Sequence, residues 1–182
     1  MQKPFRLFIT GKPGCGKTTI IKHLGHHLRL SGYEICGFYT EEIRKEGSRT
    51  GFIIKTWDGT EALLAHKDAK SPYTVGKYKV LVENIDSVAL PSMNPPSENT
   101  LILIDEIGKM ECLSQDFCRK ILSIMEAPNP LIATVPIRGG KFVERIKSMP
   151  GAVILVLDPG NRENLRDELL RRVIEYVRRK GE

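Results

Sequence analysis

The sequence has no apolar run near the ~18 residues that a membrane-spanning helix requires. The stretch ahead of its first glycine, MQKPFRLFIT, is too short in apolar residues for a secretory leader. A cytoplasmic chain without a membrane partner is therefore expected. Cysteine is sparse. Cys15, Cys36, Cys112 and Cys118 form no C-x-x-C pair, and with His23, His26, His27 and His66 they complete no zinc-ligand spacing. Reduced thiols acting as small apolar residues are expected. His23 and His27 stand four apart, a spacing that can hold metal, but no acidic third ligand is close in sequence, and a solvated helix face accounts for them. Repeats and low-complexity tracts are missing. With 41% apolar and 27% charged residues among 182, the composition excludes disorder and fits one domain spanning 1–182.

The net charge of +6 owes much to the last helical stretch, through Arg162, Arg166, Arg171, Arg172, Arg178, Arg179 and Lys180. A polyanion is one reading. The other is a solvated face balanced at helical spacings by Glu163, Asp167, Glu168 and Glu175. No paired-aromatic RNA motif is present, so nucleic acid is a conceivable partner without motif support, and a monomer is favoured.

Strand and helix alternate. Apolar strands are expected at 5–10, 35–39, 101–105, 131–135 and 152–157, and helices at 17–31, 113–126, 139–148 and 161–179. The run LILID is apolar throughout, as in a strand covered on both faces. This is the pattern of an α/β chain with a mostly parallel sheet. Residues of about 40–98 break the rhythm. Two strand-like runs, 50–57 and 60–65, flank Asp58-Gly59, a hairpin turn. A third strand is expected at 78–82 and, because of its prolines, a loop at 89–99. The block reads as an antiparallel insertion.

Between the first strand and first helix lies GKPGCGKTT. Gly11, Gly16, Lys17 and Thr18 fit G-x-x-x-x-G-K-[ST], in the strand-to-helix setting the motif requires. Main-chain N–H groups must turn inward around a phosphate there, and β-carbons obstruct both the approach and the backbone angles. The helix starting at Lys17 directs its positive end at the same point. Gly11, Lys12, Pro13, Gly14, Cys15, Gly16, Lys17, Thr18 and Thr19 are thus candidate phosphate-binding residues. Lys17 serves the β- and γ-phosphates, the Thr18 hydroxyl a magnesium ion, and Thr19 the α-phosphate. Lys12 is equally well read as solvated.

LILIDEIGKME places Asp105 and Glu106 at the carboxyl end of a buried strand, the edge where ligands bind in such sheets. Asp105 can hold magnesium opposite Thr18. Glu106, one step on, can orient or deprotonate a water aimed at the γ-phosphate, unless it serves as a cap or pairs with Lys109. Glu111 is a second candidate for that role. D-x-x-G occurs here, but no N-K-x-D follows elsewhere, so guanine-specific recognition has no motif. Thr134, at another strand end, is a candidate γ-phosphate sensor. Arg138 and Lys141 fit phosphate contacts or plain surface charge. Asn161 and Arg162, after the last strand, are candidates for base or ribose, though helix capping explains Asn161 as well.

Taken with GFYTEEIR, ATVP and the asparagine-arginine turn, these motifs resemble the small P-loop nucleoside-triphosphatases related to the cancer-related nucleoside-triphosphatase of animals, which also occur in thermophiles. The resemblance runs almost end to end. It implies a three-layer α/β P-loop NTPase fold with a RecA-like, mostly parallel sheet, an extra strand between the two phosphate motifs and the hairpin insertion. It implies magnesium-dependent hydrolysis of ATP, GTP and other nucleoside triphosphates to the diphosphate with broad base tolerance, Gly11 to Thr18 binding phosphate and Asp105 and Glu106 forming the acidic motif. The residues themselves point to Lys17 and Glu106 as the catalytic pair. Two rivals remain: a small-molecule or nucleotide kinase whose acceptor sits in the 40–98 block, and a nucleic-acid-associated switch.

Overall fold

The computed structural model describes residues 5–181, with side chains as far as Tyr176. Strand β1 (Arg6–Gly11) leads through the glycine loop into α1 (Lys17–Leu30). Strands β2 (Ile35–Lys45), β3 (Ser48–Thr56), β4 (Glu61–His66), β5 (Thr74–Val75) and β6 (Tyr78–Val80) follow. A helical stretch comes next: α2 (Val82–Asn84), a wide π turn (Ile85–Ala89) and α3 (Leu90–Ser92). The rest is β7 (Leu101–Asp105), a 3-10 turn (Glu111–Leu113), α4 (Gln115–Glu126), β8 (Leu131–Thr134), α5 (Lys141–Lys147), β9 (Ala152–Leu157) and α6 (Arg162–Gly181).

All nine strands among the described residues form one sheet in the order β5-β6-β4-β3-β2-β7-β8-β1-β9. The five strands from β2 to β9 are parallel, and the extension from β3 outward is antiparallel. Strand β8 lies between β1 and β7, which gives the RecA-like order and the extra strand between the two motifs.

Side chains alternate across each strand, so the sheet feeds two cores. Leu7 and Ile9 of β1, with Leu101 and Leu103 of β7, meet Ile20, Ile21, Leu24 and Leu28 of α1 and Leu165, Leu169 and Val173 of α6. Phe8, Ile102 and Ile104 face the other way, onto Phe117, Ile121 and Ile124 of α4, Val143 and Ile146 of α5, and Ile85, Ala89 and Met93. Every residue of β1 and β7 is buried. That includes Arg6, which donates to the carbonyls of Met125 (3.2 Å), Ala127 and Asn129 and so closes the end of α4.

Two expectations are corrected. Strand β2 does not stop at Tyr39. It pairs with β7 up to Tyr39–Asp105 and continues to Lys45 against β3 alone. The segment TEEIRK is half-buried or exposed and, Ile43 apart, polar. The expected loop from 89 begins inside a helical stretch, since Val82–Ser92 is helical. Pro91 is the last residue but one of that continuous stretch, just after the π turn, so the chain leaves the helix one residue beyond it.

Candidate active site

Gly11 ends β1, and a β-carbon there would lie 2.4 Å from the Leu157 carbonyl oxygen and 2.7 Å from Cys15 Sγ. The close approach of β1, β9 and the loop therefore requires glycine, and Cys15 is buried against it rather than offered to a ligand. Gly16 precedes α1 with φ at +104°, in the left-handed region. The first helical hydrogen bond runs from Ile20 N–H to Gly16 O at 3.0 Å. The amides of Lys17, Thr18 and Thr19 thus lie ahead of it, as at any helix start. Lys17 Nζ folds over the loop and donates to Gly11 O at 3.1 Å. Lys12, Pro13 and Gly14 are exposed, and Gly14, Gly16, Lys17, Thr18 and Thr19 line a cleft of about 740 Å³.

The acidic strand end lies across that cleft. Thr18 Oγ1 donates to Asp105 Oδ2 at 2.6 Å, and Thr134 Oγ1 donates to Asp105 Oδ1 at 2.5 Å. Asp105 is 2% exposed. Burial pushes its carboxyl above the ordinary range, opposed by the Thr134 and Thr18 hydrogen bonds and the Lys17 charge. Glu106 is raised by burial first and by Asp105 second, and among the described residues its carboxylate accepts no hydrogen bond. Glu111 is buried, accepts the Gly108 N–H at 3.1 Å, and is pushed up to about 8 by burial and then by Glu106. Gly108 sits between the two. A β-carbon there would fall 2.6 Å from Glu106 Oε1 and 3.0 Å from Glu111 Oε2.

The touching pair of Thr18 hydroxyl and Asp105 carboxylate offers hard oxygen donors beside a phosphate cradle. That donor set suits magnesium, which takes one or two protein ligands and completes its shell with phosphate and water. His23 and His27 only stack on each other, ring centroids 6.3 Å apart, and among the described residues no group of three His, Cys, Asp or Glu could hold a metal.

Other candidates lie elsewhere. The Asn161 side chain is engaged by its own turn, donating to Val156 O at 2.9 Å and accepting from Asp158 N–H at 2.9 Å. Arg162 does approach the loop. A β-carbon on Gly16 would lie 2.9 Å from its Cδ. Arg138 and Lys141 are exposed and do not line the cleft. On α6, Arg166 and Arg172 pair with Asp167 and Glu168, which is the solvated-face arrangement. The side chains of Arg178, Arg179 and Lys180 lie outside the described residues.

Thr134, a candidate γ-phosphate sensor in the sequence, is bonded to Asp105. Sequence reasoning missed two features. Lys22 lines the cleft, pairs with Glu41 and lies 5.1 Å over the Tyr39 ring; its i+4 spacing from Thr18 was the available signal. The cleft also continues past Glu106 onto Phe52, Leu64, Val75 and Met110, which no motif marks.

The model of the family described as NTPase matches residues 6–170. The chain is similar to "Nucleoside-triphosphatase THEP1" of Thermotoga petrophila, 45% identical over 91% of this chain and 90% of that one. It is also similar to "Cancer-related nucleoside-triphosphatase homolog" of Mus musculus, 32% identical over 90% of this chain and 94% of that one. Among solved structures, the crystal structure of THEP1 from the hyperthermophile Aquifex aeolicus superposes with a TM-score of 0.82 at 36% identity, covering 93% of this chain and 99% of the other.

Proposed function

The chain belongs to the NTPase family, and from that premise we propose that it hydrolyses the terminal phosphoanhydride of nucleoside triphosphates, giving the diphosphate and orthophosphate, with magnesium and little choice of base. The observation that carries the reading is the 2.6 Å hydrogen bond from Thr18 to Asp105, which brings the two motifs together at one mouth of the sheet. The loop amides and Lys17 bind the β- and γ-phosphates and stabilise charge spreading onto the transferring group. For that, the Lys17 ammonium exchanges Gly11 O for phosphate oxygens. Thr18 and Asp105 would hold magnesium, which when bound neutralises phosphate charge. Glu106, desolvated and free of hydrogen bonds, orients the attacking water and accepts its proton. Arg162, lying over Gly16, serves the ribose side of the nucleotide. Asn161 could contact the nucleotide only by releasing the Val156 carbonyl.

Orthophosphate release from ATP, GTP, CTP and UTP, with and without magnesium, tests this. All four should turn over with the metal. Lys17→Ala is expected to lower kcat/KM by ~10²–10³-fold. Glu106→Gln should lower kcat by about 10²-fold or more while nucleotide affinity persists. Parent-rate hydrolysis by the Glu106 variant would remove that residue from the mechanism.

A further inference from the structure

The cleft of about 740 Å³ takes the triphosphate at its Gly16–Thr19 end, and its lining continues beyond Glu106, away from Gly16 and Arg162, to Phe52, Leu64, Val75 and Met110. Strand order fixes that direction. The loop follows β1, Glu106 follows β7, and beyond β7 come β2, β3 and β4. Those strands contribute Thr40, Glu42, Phe52 and Leu64 to the lining, with Val75 of β5 and Met110. Glu42 and Phe52 are register partners on one sheet face. Leu64 is 1% exposed and floors the compartment, while Phe52 is propped edge-on by Tyr78, ring centroids 5.1 Å apart. One wall is therefore an apolar shelf built from the antiparallel extension, and the other is the Glu106–Glu111 segment.

We propose that this compartment binds an uncharged hydroxyl compound of nucleoside size with an apolar ring, and that its hydroxyl takes the γ-phosphoryl group in place of water. The phosphate end of this inference rests on the function proposed above. The ring lies against Phe52, Leu64, Val75 and Met110, and a hydroxyl reaches Glu106. No arginine lines the cleft among the described residues. Arg44 and Arg49 are both held by Glu42, at 2.6 Å each, and Lys22 is held by Glu41. A phosphorylated acceptor would meet the Glu106 carboxylate and no free guanidinium fork, with the exposed Lys109 beside it, so an acceptor without phosphate fits this end of the cleft better. In the step, the acceptor oxygen forms a bond to the γ-phosphorus while the bond from that phosphorus to the bridging oxygen breaks. The diphosphate leaves with the electron pair, and the hydroxyl proton passes to the Glu106 carboxylate and then to solvent. With the compartment empty, water takes the same place.

The test is ATP labelled in its γ-phosphate, with magnesium, offered adenosine, uridine, benzyl alcohol, glucose or AMP at millimolar concentration. Label is then separated into orthophosphate and phosphate ester. Ester is expected with a nucleoside or benzyl alcohol, at least 10-fold above that with glucose or AMP. Phe52→Arg should remove ester formation while orthophosphate release from ATP alone stays within twofold of the parent. Orthophosphate without ester from every alcohol overturns the transfer and leaves hydrolysis standing. Ester without orthophosphate sustains the transfer and overturns hydrolysis as the main activity. AMP as the preferred acceptor, or loss of both activities in a folded Phe52 variant, overturns the assignment of the compartment.

Discussion

Gly108 is the residue whose role is hardest to guess from its neighbours and easiest to see in space. Its missing side chain leaves room for the Glu106 carboxylate, and the obstacle to a methyl group there is the far end of a flexible side chain. Gly108→Ala should therefore fold with little loss of stability yet turn Glu106 aside. A fall in kcat of ~10-fold or more is expected, since ~1 Å of misplacement costs this much or more. Unchanged kcat with a moved melting point would refute it. Glu111 allows a prediction about pH. Its carboxyl is raised to about 8 in the folded chain, against ~4.3 when unfolded. The folded state thus keeps a proton the unfolded state has shed, and stability falls as pH rises between those values. Glu111→Gln should flatten that decline, gaining up to a few kcal/mol at pH 9 relative to the parent and little at pH 5. Melting temperatures at the two pH values measure it.

At the scale of elements, the packing of α1 turns on Gly25, beneath the Trp57 ring. A β-carbon at Gly25 would lie 2.1 Å from Trp57 Cη2, and the indole is fixed by its N–H bond to Leu103 O at 3.1 Å. Alanine gains ~1 kcal/mol of helix propensity over glycine, but overpacking a rigid core costs ~1–3 kcal/mol. The clash wins at this distance. Gly25→Ala should lower the melting temperature by several degrees, at ~2–4 °C per kcal/mol for a chain of this size. A rise would show that α1 slides freely over Trp57. The elements nearest the phosphate motifs were legible in sequence, because GKPGCGKTT and LILID announce a turn and a buried strand through their residue types. Those of the extension were less so. The upper half of β2 carries one apolar residue, Ile43, and Pro91 resembles a breaker although it stands at the end of a helical stretch that the π turn carries up to it. Trp57 and Arg6 left no local trace, since their partners, Leu103 and the 125–129 segment, are remote in sequence.

For the molecule as a whole, the nucleotide is the expected stabiliser, because it binds the folded chain alone, its phosphates being expected where the loop, β7 and β8 are already joined through Thr18, Asp105 and Thr134. A non-hydrolysable triphosphate with magnesium at 100 times its dissociation constant should add ~2.7 kcal/mol, or about 5–10 °C. Lys17→Ala should abolish the shift, and a persisting shift would place the ligand elsewhere. The parallel core and the meeting of Thr18 with Asp105 could be anticipated, since strand ends of one sense gather at one edge. The cleft beyond Glu106 could not, because it is assembled from Phe52, Leu64, Val75 and Met110, whose union depends on how far the extension curls.

Strand β8 carries neither motif, yet it is the spacer that sets their separation. The register runs Phe8 to Ala133 to Ile104, so each neighbour is held one strand width, ~4.8 Å, from it. The gap across which the two halves of the reaction face each other is gauged by a ribbon that enters the site through the Thr134 hydroxyl at its end. Retuning the enzyme for a larger ion or a bulkier leaving group could therefore begin at Leu131–Ala133, short of the Thr134 hydroxyl that donates to Asp105.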